Sequence, residues 1–400
     1  MTIIAHRIRL DPNNVQRTWL ERCAGTARFT YNWGLARWKD LYKTGKKPSW
    51  QLLNAELNAR KKTEFPWMRE LPWKITNGAL ADLGVAFVNF FRRVKVGGQN
   101  PGYPRFKKRG RCREGFAIDG RELRFEGKRV RVPKLGWVRV RTPLRFPGKI
   151  CSARFSKRAG HWYVSVQIEI DESRWSYPHP CETQAAVGVD LGVRDLAVLS
   201  DGTKIEAPRA LRKHETKLRQ LNKELSRRTK GGKNRQKTKA KLGRLHERVA
   251  NVRQDVTHNL TAQLVRNFQW IGIEDLAIKG MARTRLAKSV MDAAMAEVGR
   301  QLGYKAPLAG STVIVADRWF PSSKLCSVCG LVYTDLVLGE RTWVCKGCGT
   351  EHDRDDNAAE NLKQLAVAHT VTACCPGSAG VLLDAKLPVG QESSSCVNYG

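Results

Sequence analysis

Two Cys-x-x-Cys pairs, Cys326/Cys329 and Cys345/Cys348, are separated by fifteen residues and lead almost directly into His352-Asp353-Arg354-Asp355-Asp356-Asn357. Four thiolates at that spacing can close a tetrahedral zinc site, and four sulfurs leave no open position for catalysis, so the expected role is structural. Such an ion would hold the segment carrying Asp355, with His352 beside it rather than bound to it. Asp355 gains meaning next to two acids far upstream, Asp190 and Glu274. Hard carboxylate oxygens suit Mg²⁺ or Mn²⁺. Two such ions about 4 Å apart can activate water and stabilise the departing oxygen of a phosphodiester. Asp190, Glu274 and one acid of the 353–356 run are therefore the expected catalytic, metal-holding residues.

That chemistry requires three distant acids to meet. Strands are predicted over 185–190 and 194–199, then a third after the turn Asp201-Gly202. A long helical region follows over 209–268, split into a hairpin at Gly231-Gly232. Trp270-Ile271-Gly272-Ile273-Glu274 reads as a fourth strand, 288–306 as a helix, 311–316 as a fifth strand, and about Asp353 to Ala368 as a final helix. This order is that of an RNase H-like core, in which the first and fourth strands are neighbours. Asp190 and Glu274 would then end adjacent strands, with Asp355 in the first turn of the last helix. Singly, each acid has an ordinary explanation as a strand end, a surface residue or a helix-dipole partner. Asp195 and Asp201 fit turns, and Asp353 fits an N-cap.

The chain carries 71 Lys and Arg against 37 acids, a net charge of +34. That excess calls for a polyanionic partner, and basic residues interleaved with twelve Trp favour nucleic acid over a membrane surface. Residues 204–248 alone hold 17 Lys and Arg against 4 Glu, among them Arg227 and Arg228. No apolar run approaches the roughly 20 residues that span a bilayer, and the first residues lack a secretory pattern, so a cytoplasmic protein is expected. Reduced thiols are expected for the remaining cysteines (23, 112, 151, 181, 374, 375 and 396). Upstream, residues 2–10 read as a strand and 14–95 as helices, the clearest with Leu80, Leu83, Phe87, Phe90, Phe91 and Val94 on one face. Alternating patterns such as Arg129-Val130-Arg131-Val132 then predict strands over about 115–172. Residues 173–184 read as a linker and the C-terminal stretch as disordered.

Gly188-Val189-Asp190-Leu191-Gly192, Ile273-Glu274-Asp275-Leu276, Trp319-Phe320-Pro321-Ser322-Ser323-Lys324 through Cys329-Gly330, and His352 through Leu362 together resemble the TnpB family, transposon-encoded relatives of type V CRISPR effector nucleases. Weaker matches such as Pro104-Arg105-Phe106 extend the resemblance over about residues 1–365. The resemblance selects Asp355, two residues before Asn357, over Asp353 and Asp356, and implies Asp190, Glu274 and Asp355 as the catalytic triad. It implies a bilobed protein of mixed α/β, all-β and all-α parts. These are a β-barrel wedge domain (1–10 and 111–172), a helical recognition domain (11–110), a RuvC-like nuclease domain (185–318 and 350–368), a zinc-ribbon insertion (319–349) and a disordered tail (369–400). The implied activity is RNA-guided double-stranded DNA cleavage beside a short motif, with a guide RNA from the transposon end as partner and the element's transposase as a functional associate. Asn77, Arg105, Lys107 and Lys108 are then candidates for reading DNA near that motif. The chain departs from the family at Met295, Val298 and Pro307-Leu308-Ala309, where aromatics are usual. A nuclease-silent, RNA-guided repressor and a conventional transposase are the competing functions; loss of an acid would mark the first, absence of bound RNA the second.

Overall fold

A computed structural model describes residues 2–97, 100–170, 185–337 and 339–374, without the side chains of 370–374. The chain divides into two compact units, Met1–Tyr177 with Arg209–Gln254, and Pro178–Pro208 with Asp255–Gly400.

The first unit begins with β1 (Thr2–Asp11), whose alternating burial follows its alternating residues. Helix α1 (Asn14–Lys43) opens on a capping box: the Asn13 side chain accepts from Gln16 N–H at 2.8 Å while Asn13 N–H donates to the Gln16 side chain at 3.1 Å. Helices α2 (Trp50–Arg60) and α3 (Lys74–Lys95) pack with it around Leu35, Trp38, Leu53, Leu57, Leu80, Leu83 and Phe87. Phe91 and Val94, expected on the buried face of α3, are instead half exposed. Burial is shifted toward its N-terminal half, where Ile75, Thr76 and Ala79 are covered.

Strands β2 (Glu114–Asp119), β3 (Arg124–Glu126), β4 (Arg129–Val132), β5 (Gly136–Val140), β6 (Lys149–Arg158) and β7 (His161–Ile170) join β1 in a seven-stranded sheet ordered β2-β6-β7-β1-β5-β4-β3. Their inward residues, including Ile8, Phe116, Val130, Val138, Phe155 and Val166, form one core. The closed barrel that the family resemblance implies is not completed by hydrogen bonds among the described residues. The two edge strands, β2 and β3, are consecutive in the chain, and the 3₁₀ turn Gly120–Glu122 spans the gap covalently.

Helices α4 (Ala210–Lys213), α5 (Glu215–Arg227) and α6 (Lys233–Asn267) supply the basic hairpin. Its 209–254 portion belongs to the first unit, not to the sheet that flanks it in sequence. Beside buried Val249, the buried Glu247 carboxylate accepts from the Tyr163 hydroxyl at 2.8 Å, a polar tie that periodicity does not reveal.

In the second unit β8 (Ala186–Asp190), β9 (Asp195–Leu199), β10 (Lys204–Glu206), β11 (Trp270–Glu274) and β12 (Thr312–Ala316) form a mixed sheet ordered β10-β9-β8-β11-β12. The β8, β11 and β12 strands run parallel, and β9 is antiparallel to both its neighbours β8 and β10; the first and fourth strands are neighbours as expected. A short helix α7 (Ile278–Met281) precedes α8 (Ala287–Ala293) and α9 (Met295–Ala309); the single helix expected over 288–306 is broken at Ala294, which adopts a left-handed φ of 61°. Met295, Val298 and Ala309, at the positions lacking the usual aromatics, are fully buried, so smaller apolar groups fill that core. Two short strands, β13 (Thr342–Val344) and β14 (Glu351–Asp353), flank the second cysteine pair. Helix α10 (Arg354–Cys374) closes the unit, continuing through residues 369–374 that the sequence assigned to a disordered tail. The expected linker and the remainder of the tail lie outside the described residues. Among the described residues no helix is long and apolar enough to cross a membrane.

Candidate active site

The position of Asp355 follows from two glycines. Gly188 on β8 and Gly272 on β11 are direct register partners. A Cβ on Gly188 would lie 1.8 Å from the Ala359 carbonyl oxygen, and one on Gly272 would lie 2.2 Å from that of Leu362. Paired glycines thus cut a slot into which the α10 backbone descends, bringing its first turn to the ends of the strands that carry Asp190 and Glu274.

Asp353 caps that turn, accepting from Asp355 N–H at 3.0 Å and Asp356 N–H at 3.1 Å, as its position before the helix led one to expect. Asp356 pairs with Lys204 at 3.0 Å. Asp355 is the acid of this run whose charge is felt at Asp190. The Asp190 carboxyl is pushed up to about 8, first by loss of hydration and then by Glu274 and Asp355, with Arg354 and Arg341 pulling the other way. Burial and two nearby acids thus disfavour the Asp190 carboxylate. Arg341 Nη1 donates to both Asp355 oxygens, at 3.1 and 2.8 Å.

Ser322 was not singled out by sequence reasoning as part of the site, although it lies inside the Trp319–Lys324 motif. Its hydroxyl donates to Glu274 Oε1. The loop carrying it is clamped to α10: Asn361 Nδ2 donates to the Ser322 and Leu325 carbonyls, both at 2.7 Å, Asn357 Nδ2 donates to Leu325 O at 2.7 Å, and Ser327 N–H donates to Asn357 Oδ1 at 3.0 Å. Ser322→Ala removes the donor that orients Glu274 and leaves the clamp, made by main-chain carbonyls, in place. If the acids hold Mg²⁺, Ser322→Ala is expected to raise the Mg²⁺ concentration for half-maximal binding several-fold, a loss of about 1 kcal/mol, measured by metal titration.

The four cysteines converge as their spacing predicts. Their sulfurs all lie within 4.8 Å of one another, with Cys326–Cys348 at 3.7 Å and Cys329–Cys345 at 3.5 Å. A tetrahedron with Zn–S near 2.3 Å has edges of about 3.8 Å, so the cluster could hold such an ion. The Thr350 hydroxyl and backbone push the Cys348 thiol down to about 6, toward the thiolate that a metal requires. His352 is buried with Nε2 3.1 Å from the Cys326 sulfur and its ring against Trp343, which makes it a partner of a ligand. Among the described residues Cys23, Cys112 and Cys151 are unpaired thiols, Cys23 held strongly protonated by burial.

The nucleic-acid candidates are spread through the first unit. Arg105 and Lys108 are exposed, Arg227 is exposed, and Asn77 is half buried. Lys107 turns inward, its ammonium 3.8 Å from the centre of the Tyr31 ring and its backbone held by Asn32 on both sides. Arg228 is paired with Glu224.

Comparison with known proteins decides the family. A protein of Escherichia coli (strain K12) named "Putative RNA-guided DNA endonuclease InsQ" is 32% identical over 98% of each chain. A protein of Streptomyces pristinaespiralis with the same designation is 35% identical over 93% of this chain and 91% of its own. The chain belongs to the TnpB family. Residues 164–285 match the OrfB_IS605 profile, described as a probable transposase, and residues 296–362 match the TNB domain described as Cas12f1-like. Residues 1–47 match the HTH_OrfB_IS605 profile, described as a helix-turn-helix domain, yet here they form β1 and the single uninterrupted helix α1. A solved Cas12f1–sgRNA–target DNA complex aligns over 91% of this chain and 99% of its own at 13% identity and a TM-score of 0.31, too loose to add to what this TnpB chain's own topology says.

Proposed function

We propose that the protein is an RNA-guided DNA endonuclease encoded by a transposable element. It would hold a guide RNA, open double-stranded DNA that matches the guide next to a short motif, and hydrolyse phosphodiesters at one RuvC-like, RNase H-type site. The observation that carries this reading is geometric: the Gly188/Gly272 slot seats α10 so that its first turn, with Asp355, lies at the end of the adjacent strands that carry Asp190 and Glu274. The names borne by its full-length relatives support the same reading. An intact set of three acids favours cutting over a nuclease-silent repressor.

Asp190, Glu274 and Asp355 would hold Mg²⁺ or Mn²⁺, and a bound pair of ions supplies an activated water and stabilises the leaving oxygen. Ser322 orients Glu274, Asp353 fixes the turn that presents Asp355, and the glycine slot sets the depth of that turn. In this reading the barrel (1–10 and 111–172) acts as the wedge, the helices within 11–110 as the recognition part, and 319–349 as a zinc-ribbon that also touches target DNA. The charge of +34 supplies a sequence-independent grip on the backbone while base pairing supplies sequence.

RNA is expected to co-purify with the protein, and the complex is expected to cut a guide-matched duplex in Mg²⁺ but not in EDTA. An Asp190→Ala complex that retains RNA yet leaves the duplex whole fits this reading. A wild-type complex with its cognate RNA that leaves the target intact overturns it. The cysteine cluster carries its own prediction: one equivalent of zinc per chain by atomic emission, lost in Cys345→Ser. Because the loop bearing Ser322 is continuous with Cys326 and Cys329, that variant is expected to lose cutting along with zinc while keeping its RNA.

A further inference from the structure

Trp319 is 85% exposed, more than any other large apolar side chain in the described residues. Its loop is well anchored. Trp319 N–H donates to Asp317 Oδ1 at 2.8 Å, Phe320 N–H donates to the Asp317 carbonyl at 3.0 Å, and Arg318 pairs with Asp275 at 2.7 Å. Three residues further on, Ser322 touches Glu274. A firmly held turn therefore presents a bare indole one residue from the Arg318 that pairs with Asp275 and three from the serine that touches Glu274, on a segment that also carries Lys324. A ring of this size normally buries roughly 150–250 Å², so leaving it in water forgoes a large stabilisation unless a ligand covers it.

We propose that Trp319 stacks on an unpaired base of the DNA strand being cut and so positions single-stranded DNA at the carboxylates. This rests on the nuclease reading above. A base inside a duplex has both faces covered by its neighbours, whereas a melted strand offers one to an aromatic ring, and stacking tolerates any sequence. The contact selects opened DNA without reading bases, which suits an enzyme whose sequence choice lies in pairing elsewhere.

The test walks an abasic nucleotide along the cut strand in single-turnover cleavage by the wild-type and Trp319→Ala ribonucleoproteins. At one or two positions near the cut, the abasic site is expected to slow the wild type roughly 5- to 100-fold; Trp319→Ala slows cutting by the same factor on intact DNA, and the two together do no more than either alone. Trp319→Phe is expected to stay within about threefold of wild type, because a stacking face remains. Guide retention and target binding should be unchanged, since the side chain supports no core. Wild-type cutting by Trp319→Ala, or penalties that multiply at every position, overturns the proposal.

A second arm needs no cleavage: binding of a labelled DNA strand of about twelve nucleotides, in EDTA and at about 300 mM salt to suppress backbone attraction. Trp319→Ala should weaken it by the same factor and leave duplex binding alone. Equal strand binding by both proteins, or a loss confined to an RNA strand, overturns the proposal. If the wild-type complex leaves its target whole while strand binding still depends on Trp319, the nuclease reading falls and the stacking contact stands.

Discussion

Asp190→Asn is expected to lose at least about a thousand-fold in cleavage rate, because a lost metal ligand removes several kcal/mol of charge stabilisation at about 1.4 kcal/mol per tenfold. Guide RNA and target binding should persist. What distinguishes this from a folding defect is an opposite change in stability. Burial and two neighbouring acids push the Asp190 carboxyl from 3.8 up to about 8. Between those values the folded, metal-free chain keeps a proton that the unfolded chain has released, so stability declines as pH rises from about 4 to about 8. The amide carries no charge to be desolvated. In EDTA at pH 8 the variant should therefore melt above wild type, and Mg²⁺ should raise the melting temperature of the wild type alone. A variant that cuts normally, or one that melts lower while losing activity, would remove Asp190 from the proposed site. Activity lost with stability gained is the signature of a charge kept for function.

Gly188→Ala should instead lose both. The added methyl group would meet the Ala359 carbonyl oxygen at 1.8 Å and Lys363 N at 2.4 Å, backbone atoms that cannot rotate away. Overpacking costs about 1–3 kcal/mol when side chains can yield, and here a helix must move, so about 3 kcal/mol is a fair minimum. For a unit of this size that lowers the melting temperature by roughly 6–12 °C. Lifting α10 carries Asp355 away from Asp190 and Glu274, so cutting should fall by far more than the loss of folded protein explains. Gly272→Ala, against Leu362 O, should behave alike. Gly299→Ala on α9, with nothing within 4 Å of the added atom, is the control and should melt at or slightly above wild type. Calorimetry and single-turnover cleavage on the same preparations check all three; an unchanged Gly188→Ala would show that the slot does not seat the helix.

These two residues also show how the site was legible. Asp190 could be picked out because it ends an apolar strand, and Gly188 stands in the same quoted run. That Gly188 faces Gly272 is a statement about strand pairing across more than eighty positions, and no local pattern encodes it. The same holds for Ser322 and Arg341, whose partners Glu274 and Asp355 are set by how the cysteine-bearing loops fold back.

Features whose physics acts within a few residues were readable from the chain: the close-set thiols of each Cys-x-x-Cys pair, the period-two strands, the hairpin break at Gly231-Gly232, the Asp353 cap, and a charge that demands a polyanion. Features that depend on which surfaces meet were not. The half-exposed end of α3, the break at Ala294, the inward turn of Lys107 onto Tyr31, the covalent bridging of the barrel edges and the attachment of 209–254 to the first unit through Glu247 all arise from long-range contacts. Side-chain type and spacing specify which groups are able to do chemistry. Only pairing and packing between distant segments decide which of them come close enough to do it.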